Sequence, residues 1–355
     1  MCGYFAREEQ LLHTDQTQRA NEIMKALVLR ELKTPLKLEE PSAPTPGPGE
    51  VVVRLMAAAL NRRDYWITQG MYPGIGLPVI LGSDGAGIVT TIGAGVPPHW
   101  SNQEVIINPG FQWGEDQRMQ GPDFQILGMP RAGTFADEVV VPAESLHARP
   151  AHLDWHEAAA LPLSGVTAYR AVFTQGQVKR GENVLVSGIG GGVATYALQF
   201  AKAAGANVFV TSSSQDKLKR ATELGAIAGY DYRSEGWAKQ LRSEHGAVDL
   251  IIDGAGGPGY GRLVDLAAQG GRIVNYGATA GPAEKFDLLK VFWKQLRIIG
   301  TTMGSPTDFQ QMLELFNEHQ LRPVIDEVLP LARGNDALQR MGDSTQFGNL
   351  VLEIG

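Results

Sequence analysis

Residues 182–225 read ENVLVSGIGGGVATYALQFAKAAGANVFVTSSSQDKLKRATELG, and this stretch decides the fold. An aliphatic run at 184–186 leads into the glycine cluster 188–192, where a ligand can approach the backbone because no β-carbon stands in the way. Apolar residues then recur with a helical period over 193–204, and a second buried run follows at 207–210. The stretch therefore predicts a strand, a glycine turn, a helix and a second strand.

The glycine turn predicts a dinucleotide site. A turn of this kind, opening a helix after a strand, presents backbone N–H groups and the positive end of the helix dipole to a pyrophosphate. We expect Gly190, Gly191, Gly192 and Val193 to contact the coenzyme. An ordinary tight turn is the alternative, but the strand before it and the helix after it favour binding. Ala194 stands where a third glycine is common, a substitution that the motif allows.

The end of the second strand bears on the choice of coenzyme. NAD sites usually carry an acid about twenty residues past the glycine turn. Here residues 211–214 are Thr-Ser-Ser-Ser, and the first acid after them is Asp216. A carboxylate would repel a 2′-phosphate, whereas the Ser213 hydroxyl and the Lys217 ammonium would hold one. These residues favour NADP(H) over NAD(H). The alternative is that Lys217 and its basic neighbours only form the solvated face of the next helix.

Composition excludes several classes of protein. The chain has 355 residues, of which 43% are hydrophobic and 19% charged, which suits two domains with cores of their own. Its net charge of −7 argues against nucleic acid or an anionic membrane as a partner. Cys2 is the only cysteine, so internal disulfides and cysteine-ligated zinc are excluded. Residues 1–23 resemble a disordered leader rather than a secretory signal, and we expect a cytoplasmic protein.

Beyond the opening stretch, strands continue to alternate with helices. Strands are predicted at 229–232, 248–253 and 272–276, with helices near 237–244 and 261–269, which together indicate a doubly wound parallel α/β sheet. Ligands of such sheets bind at the carboxyl ends of the strands. That rule places two short segments along the coenzyme, Asp253-Gly254-Ala255 and Tyr276-Gly277-Ala278. The irregular segment 108–134 is a candidate lid or binding rim.

From Met24 to Gly355 the chain resembles the medium-chain dehydrogenase/reductase superfamily, and within it the zinc-free quinone oxidoreductase-like branch. The resemblance is carried by ordered motifs that include PGPGEVVV, LNRRDYW, ILGSDGAGIV, GTFADEVVV, LPLSGVTAYRAV, GIGGGVA, GRIVNYG and FGNLVLEI. It implies a Rossmann domain at 149–296. It also implies a β-rich, GroES-like catalytic domain split between 24–148 and 297–355.

The resemblance also bears on metal binding. Alcohol dehydrogenases of the superfamily place Cys, His and Cys at a catalytic zinc, and the matching positions here are Asn61, Ser83 and about Leu163. None of these is a good zinc ligand, so we predict no metal. His152 and His156 could share a helix face, but beside acidic residues they are typical of a polar helix start.

The resemblance implies roles for further residues. Asn61 and Asp64 would line the substrate cleft, although Asp64 could equally anchor its loop through backbone hydrogen bonds. Tyr72 matches a proton donor of zinc-free enoyl reductases, with packing beside Pro73 as the alternative. Coenzyme contacts are also implied for four residues, with Lys217 and Tyr232 at the 2′-phosphate, Thr167 in the LPLSGVTAYRAV motif, and Asn349 in place of a common lysine.

The function that these residues predict is metal-independent transfer of hydride from NADPH to a quinone or an α,β-unsaturated carbonyl. Such acceptors delocalise the charge that hydride brings, so the protein mainly has to orient the two reactants and exclude water. The expected partner is a small hydrophobic acceptor. A 2-enoyl thioester reductase and a non-catalytic NADPH-binding protein are the alternatives. Relatives usually pair through the coenzyme domain, which implies a homodimer, with a tetramer as the alternative.

Overall fold

A computed structural model of the chain describes residues 22–355. The predicted leader, 1–23, lies almost entirely outside these described residues, as does Cys2. The described part of it pairs with the loop at 41–43, where the Ala43 N–H donates to the Glu22 oxygen at 2.8 Å.

The described residues contain eighteen strands. In chain order they are β1 (Ala26–Leu29), β2 (Lys37–Glu39), β3 (Glu50–Ala59), β4 (Val79–Ile80), β5 (Asp84–Ile92), β6 (Glu104–Ile107), β7 (Gly110–Phe111), β8 (Gln125–Ile126), β9 (Glu138–Pro142), β10 (Leu146–Ala148), β11 (Asn183–Val186), β12 (Asn207–Ser212), β13 (Ala228–Asp231), β14 (Val248–Asp253), β15 (Ala267–Asn275), β16 (Arg297–Gly300), β17 (Ile325–Pro330) and β18 (Asn349–Glu353).

The same residues contain ten α-helices. They are α1 (Arg62–Thr68), α2 (Trp155–Ala160), α3 (Pro162–Tyr169), α4 (Gly192–Ala203), α5 (Gln215–Glu223), α6 (Trp237–His245), α7 (Tyr260–Leu266), α8 (Leu288–Trp293), α9 (Pro306–His319) and α10 (Gly334–Gly342). A π-helical segment, Arg170–Gln175, continues α3. None of the helices in the described part of the chain combines the length and apolar character needed to cross a bilayer.

The chain divides into two compact units. Of the described residues, the first unit contains 22–162, 327–343 and 350–355, and the second contains 163–326 and 344–349. The β-rich unit is thus assembled from separate pieces of chain. Its boundaries fall later in the sequence than the predicted changes at 148 and 296.

The first unit is built around β3. This strand pairs with β5, β9 and β18, and seven of its ten residues are buried, which explains its almost unbroken apolar sequence. The full order of its large sheet is β10-β6-β5-β3-β18-β17, with β9 also on β3. Gly87 in β5 allows this pairing, because a β-carbon there would run into the Arg54 carbonyl and lie 2.9 Å from the Leu55 Cα.

The second unit contains a six-stranded parallel sheet in the order β13-β12-β11-β14-β15-β16. Two halves therefore wind outward from β11 and β14, the strand order of dinucleotide-binding folds. The predicted fold class, a doubly wound parallel sheet with a split β-rich domain, is confirmed. The crevice where the strand order reverses lies at the carboxyl ends of β11 and β14, and ligands of such sheets bind there.

One predicted boundary is wrong. The helix predicted over 261–269 ends at Leu266, and the next strand already begins at Ala267. The cause is tertiary, because Ala267 pairs with Val248 in β14 before an irregularity in the register. Local apolar spacing cannot reveal such a pairing.

Candidate coenzyme and substrate sites

The glycine turn joins β11 to α4 in a conformation that requires glycine. Gly188 has a φ of +64° and Gly190 a φ of +147°, values that side chains disfavour. The turn is held against β12, because the Gly188 N–H donates to Thr211 Oγ1 at 3.0 Å and the Ile189 N–H to the Thr211 carbonyl at 2.7 Å. The turn is therefore rigid and runs along the carboxyl edge of the sheet.

The start of α4 can hold an anion. Its N-cap is Gly191, whose residue type offers no capping side chain, and a β-carbon built on Gly191 would meet nothing within 4 Å. The start of a twelve-residue helix thus combines open space beside Gly191 with the positive end of the helix dipole. These features fit the diphosphate of a dinucleotide. Val193 lies in the first turn of the same helix.

Polar side chains of the second unit surround this helix start. A β-carbon on Gly192 would collide with Asn349 Oδ1 and come within 2.8 Å of Ser164 Oγ. Asn349 is 3% exposed, and its amide donates to the Val324 carbonyl at 3.2 Å. Thr167, one helical turn beyond Ser164, donates its hydroxyl hydrogen to the Leu163 carbonyl at 2.7 Å. Asn349 thus lies beside the glycine turn. Thr167 is buried on α3, three residues after Ser164.

Asp253 joins the ends of three neighbouring strands. Its buried carboxylate accepts hydrogen bonds from the Ser187 hydroxyl, from the Gly256 N–H at 2.9 Å and from the Asn275 amide at 3.0 Å. The Tyr260 hydroxyl in turn donates to Asn275 Oδ1 at 2.6 Å. This network fixes the edge along which a dinucleotide would lie. The sequence predicts Asp253 along the coenzyme, but it does not indicate this network.

Four of the residues predicted along the coenzyme, Gly254, Ala255, Tyr276 and Gly277, directly follow β14 and β15. The Tyr276 ring covers Gly254, so that a β-carbon at 254 would stand 2.6 Å from the tyrosine hydroxyl oxygen. Gly254 is buried, Ala255 is partly buried and Gly277 is exposed. The Tyr276 ring therefore fills the space next to Gly254.

The residues predicted to hold a 2′-phosphate differ in their contacts and in their exposure. Lys217 Nζ donates to the Ser344 carbonyl at 2.6 Å and lies 3.0 Å from the position of a Gly190 β-carbon. Tyr232, just after β13, is 42% exposed. The Ser213 backbone carbonyl accepts a hydrogen bond from Nη2 of Arg233, a residue that the sequence did not single out. The only available signal was the position of Arg233 next to Tyr232 in the sequence DYR.

In the first unit, Asn61 and Asp64 are buried at the start of α1. The Asp64 carboxylate accepts from the Asn61 N–H at 2.7 Å and from the Gly82 N–H at 3.3 Å. The Asn61 amide donates to Asp84 Oδ2 at 2.8 Å. Burial raises the pKa of Asp64 to about 6, against the lowering effects of the nearby Arg63 charge and the two N–H donors. These contacts correspond to the loop-anchoring alternative for Asp64.

Arg63 organises the surroundings of Tyr72. Its guanidinium lies 5.1 Å from the centre of the Tyr72 ring, close enough for a cation–π contact. The same group donates to Ser83 Oγ at 2.7 Å and to the Leu127 carbonyl at 2.8 Å. Tyr72 itself is partly buried against the core of the first unit. Sequence reasoning missed Arg63, whose partners are distant in sequence.

The two positions that the resemblance matches to zinc ligands, Asn61 and Ser83, have other partners here. Asn61 binds Asp84, and the Ser83 hydroxyl contacts Arg63 and the Leu127 carbonyl. Within residues 22–355, no group of three or more His, Cys, Asp or Glu side chains is arranged to hold a metal ion. His156 Nε2 lies 3.6 Å from Glu353 Oε1. The donor chemistry at these positions does not fit a catalytic zinc.

Comparisons with known proteins identify the family of this chain. Residues 47–151 match the alcohol dehydrogenase GroES-like domain, and residues 192–318 match the zinc-binding dehydrogenase family. A zinc-type alcohol dehydrogenase-like protein, YogA, of Leptosphaeria maculans is 38% identical, over 90% of this chain and 95% of that protein.

Solved structures agree with these matches. A crystal structure of an NAD-dependent alcohol dehydrogenase superposes with a TM-score of 0.89 at 38% identity, covering 93% of this chain and all of that one. A 2-octenoyl-CoA carboxylase reductase, CinF, in complex with NADP and 2-octenoyl-CoA superposes with a TM-score of 0.85 at 26% identity, covering 97% and 90%. The chain is therefore a member of the medium-chain dehydrogenase/reductase superfamily of oxidoreductases.

Proposed function

We propose that the protein reduces quinones or α,β-unsaturated carbonyls with hydride from NADPH and without a metal ion. The observation that carries this proposal is the glycine turn that opens α4 at the carboxyl edge of the parallel sheet, because it fits a dinucleotide diphosphate. A bound nicotinamide would supply the hydride. The chain's own residues would bind and orient it and keep water out.

The metal-independent part of the proposal rests on residue chemistry. An amide at Asn61 and a hydroxyl at Ser83 replace the strong zinc ligands of alcohol dehydrogenases, and both side chains already have protein partners. An acceptor must therefore delocalise its own developing charge. Quinones and conjugated carbonyls do so, since hydride addition gives a hydroquinone anion or an enolate that one proton then neutralises.

Tyr72 is the proposed source of that proton for conjugated carbonyls. Its ring is held by the Arg63 guanidinium at 5.1 Å and by the apolar core, which fixes its orientation. A positioned acid of this kind contributes roughly 10²–10⁴-fold in rate. A hydroquinone anion can take its proton from water, so quinone reduction should depend much less on Tyr72.

An enoyl thioester is the second candidate substrate, favoured by the likeness to CinF in complex with 2-octenoyl-CoA. A coenzyme A substrate carries several phosphates, which call for unpaired cations. In the segment 108–134, Arg118 is paired with Asp116 at 2.7 Å and Arg131 with Glu50 at 2.6 Å. These pairings favour a small uncharged acceptor over a thioester.

The proposal is tested by following NADPH at its absorbance of about 340 nm after treatment with a chelator. Acceptors from three classes are compared, namely 9,10-phenanthrenequinone, a simple enone and crotonyl-CoA. We expect catalytic oxidation with the first two and a lower kcat/KM with the thioester. Saturable NADPH fluorescence without consumption would instead support a non-catalytic binding protein. Activity that chelation abolishes and zinc restores would refute the metal-independent mechanism.

We also propose that the protein works as a homodimer joined through the second unit. β16 ends the parallel sheet, and in the described chain no strand covers its outer edge. Four apolar residues of the neighbouring α8 are 61 to 74% exposed, an unusual density for a surface. They are Leu288, Leu289, Phe292 and Trp293. A second copy related by a twofold axis could pair with the open edge and bury this patch.

Light scattering after size-exclusion chromatography checks the dimer. The double substitution Phe292→Asp and Trp293→Asp should give a monomer at concentrations where the wild type is dimeric. Ile227→Asp changes another exposed apolar residue of the same unit, 52% exposed, and should leave the dimer intact. A wild-type monomer, or a double variant that remains dimeric, would contradict the assignment.

A further inference from the structure

Arg233 is held in a fixed orientation at the end of β13. Its Nε donates to Asp231 Oδ1 at 3.1 Å and its Nη2 to Asp231 Oδ2 at 2.8 Å, a two-point contact that sets the plane of the guanidinium. Nη2 also donates to the Ser213 carbonyl. Because Ser212 and Asp231 are partners in the parallel register, the guanidinium lies beside the end of β12.

This guanidinium remains accessible to a ligand. The contacts to Asp231 and Ser213 use Nε and Nη2, and the Arg233 side chain is 63% exposed, so its Nη1 group can still donate. A second guanidinium is nearby, since Arg262 Nη1 donates to the Tyr232 carbonyl at 3.2 Å. The carboxyl end of β12 therefore combines the serine hydroxyls with fixed positive charge. This combination suits a phosphate rather than bare ribose hydroxyls.

The Asp231 carboxylate is compatible with phosphate binding at this site. The hydrogen bonds from Arg233 hold the pKa of Asp231 below its usual range, so the two side chains form a neutral pair at neutral pH. Asp231 then serves to aim the guanidinium. The net positive charge near a phosphate then comes from Arg262, while Arg233 offers its Nη1 group as a hydrogen-bond donor.

Lys217 is engaged in a different place. Its ammonium group donates to the Ser344 carbonyl and lies against Gly190, beside the glycine turn. The diphosphate expected at that turn is common to NAD(H) and NADP(H). A charge in this position stabilises both coenzymes and does not distinguish between them.

We propose that Arg233 selects the phosphorylated coenzyme by donating to its 2′-phosphate beside Ser213, while Lys217 strengthens binding of both coenzymes. This inference rests on the proposed function, because it takes NADP(H) to be the coenzyme. It reverses the expectation from the sequence, which gave the 2′-phosphate to Lys217.

Calorimetric titration of the full chain with 2′,5′-ADP and with 5′-AMP tests the assignment without any turnover. Arg233→Gln should weaken binding of 2′,5′-ADP roughly 10- to 100-fold, the loss expected for a hydrogen bond to a charged group, and leave 5′-AMP binding unchanged. Lys217→Gln should weaken both ligands by the same factor. Circular dichroism and thermal unfolding of each variant confirm that the fold is retained.

A double variant distinguishes a direct contact between Arg233 and the phosphate from an indirect effect of exposing Asp231. Arg233→Gln exposes the Asp231 carboxylate, which could itself repel a phosphate, so Arg233→Gln is repeated together with Asp231→Asn. We expect the double variant to bind 2′,5′-ADP still at least several-fold more weakly than wild type. Full recovery would overturn a direct contact. A preference for 2′,5′-ADP over 5′-AMP that survives Arg233→Gln but is lost in Lys217→Gln would also overturn the inference. Tighter binding of 5′-AMP than of 2′,5′-ADP by wild type would instead contradict the proposed coenzyme, and the inference with it.

Discussion

Replacing Asp64 by Asn should change how the stability of the protein depends on pH. Asp64 is fully buried, and its carboxyl has a pKa of about 6 in the folded state, compared with about 3.9 in an unfolded chain. Between these two values the folded state binds the proton and the unfolded state does not. The free energy of unfolding therefore falls as pH rises through this window. A difference of about two pH units corresponds to about 3 kcal/mol.

An amide at position 64 cannot ionise, so the variant lacks this pH-dependent loss. The substitution also turns one acceptor into an NH₂ group that faces a backbone N–H, either of Asn61 or of Gly82, at a cost of about 1–3 kcal/mol at every pH. Relative to wild type, Asp64→Asn should thus be less stable near pH 4 and gain about 3 kcal/mol by pH 7.

Urea unfolding of both proteins at several pH values between 4 and 7, followed by circular dichroism, measures this difference. Asp336→Asn removes an exposed carboxyl from the same unit and controls for the general effect of losing one negative charge. A stability difference between Asp64→Asn and wild type that stays constant from pH 4 to pH 7 would refute the argument. It would mean that Asp64 does not titrate in this range.

Three further outcomes are expected. Gly190→Ala should weaken NADPH binding and lower the free energy of unfolding by about 1–2 kcal/mol, because φ is +147° at this position. Gly191 has a φ of −88°, so Gly191→Ala should weaken NADPH binding with little loss of stability. Fluorescence titration measures the binding, and urea unfolding measures the stability. Arg170→Met should cost about 3–5 kcal/mol in urea unfolding because it leaves the buried Asp308 carboxylate without its cation, and adding Asp308→Asn should recover part of this loss. Tyr72→Phe should lower kcat for enones roughly 100-fold and leave quinone reduction nearly unchanged; an equal effect on both acceptors would argue for a packing role.

The fold of the second unit was predictable because its signals are local. The aliphatic run, the positive-φ glycines and the helical period of 193–204 are neighbours in sequence, and the structure has β11, the turn and α4 where that pattern predicts them. The parallel, doubly wound arrangement then follows from the alternation of strands and helices. Local patterns failed at Ala267, where pairing with Val248 turns a predicted helix end into a strand.

The site residues that sequence reasoning missed depend on contacts between distant positions. Arg63 acts through Ser83 and the Leu127 carbonyl, and Arg233 reaches Ser213 only because β12 and β13 are adjacent and in register. Lys217 was recognised, but the direction of a long flexible side chain is set by what it meets, here the Ser344 carbonyl. Residue type can be read from the sequence, whereas the target of a side chain cannot.

The glycine turn depends on a piece of chain that is synthesised long after it. The Gly348 N–H donates to the Gly190 carbonyl at 2.9 Å, and Asn349 stands at the start of α4, although residues 327–343 in between belong to the first unit. A fragment cut at 163–326 would therefore keep every strand of the parallel sheet and still lack part of the wall of its own binding turn. For protein engineers this means that the nucleotide module cannot be moved as one continuous cassette. A transplant would have to carry residues 344–349 with it, spliced on through a new connection.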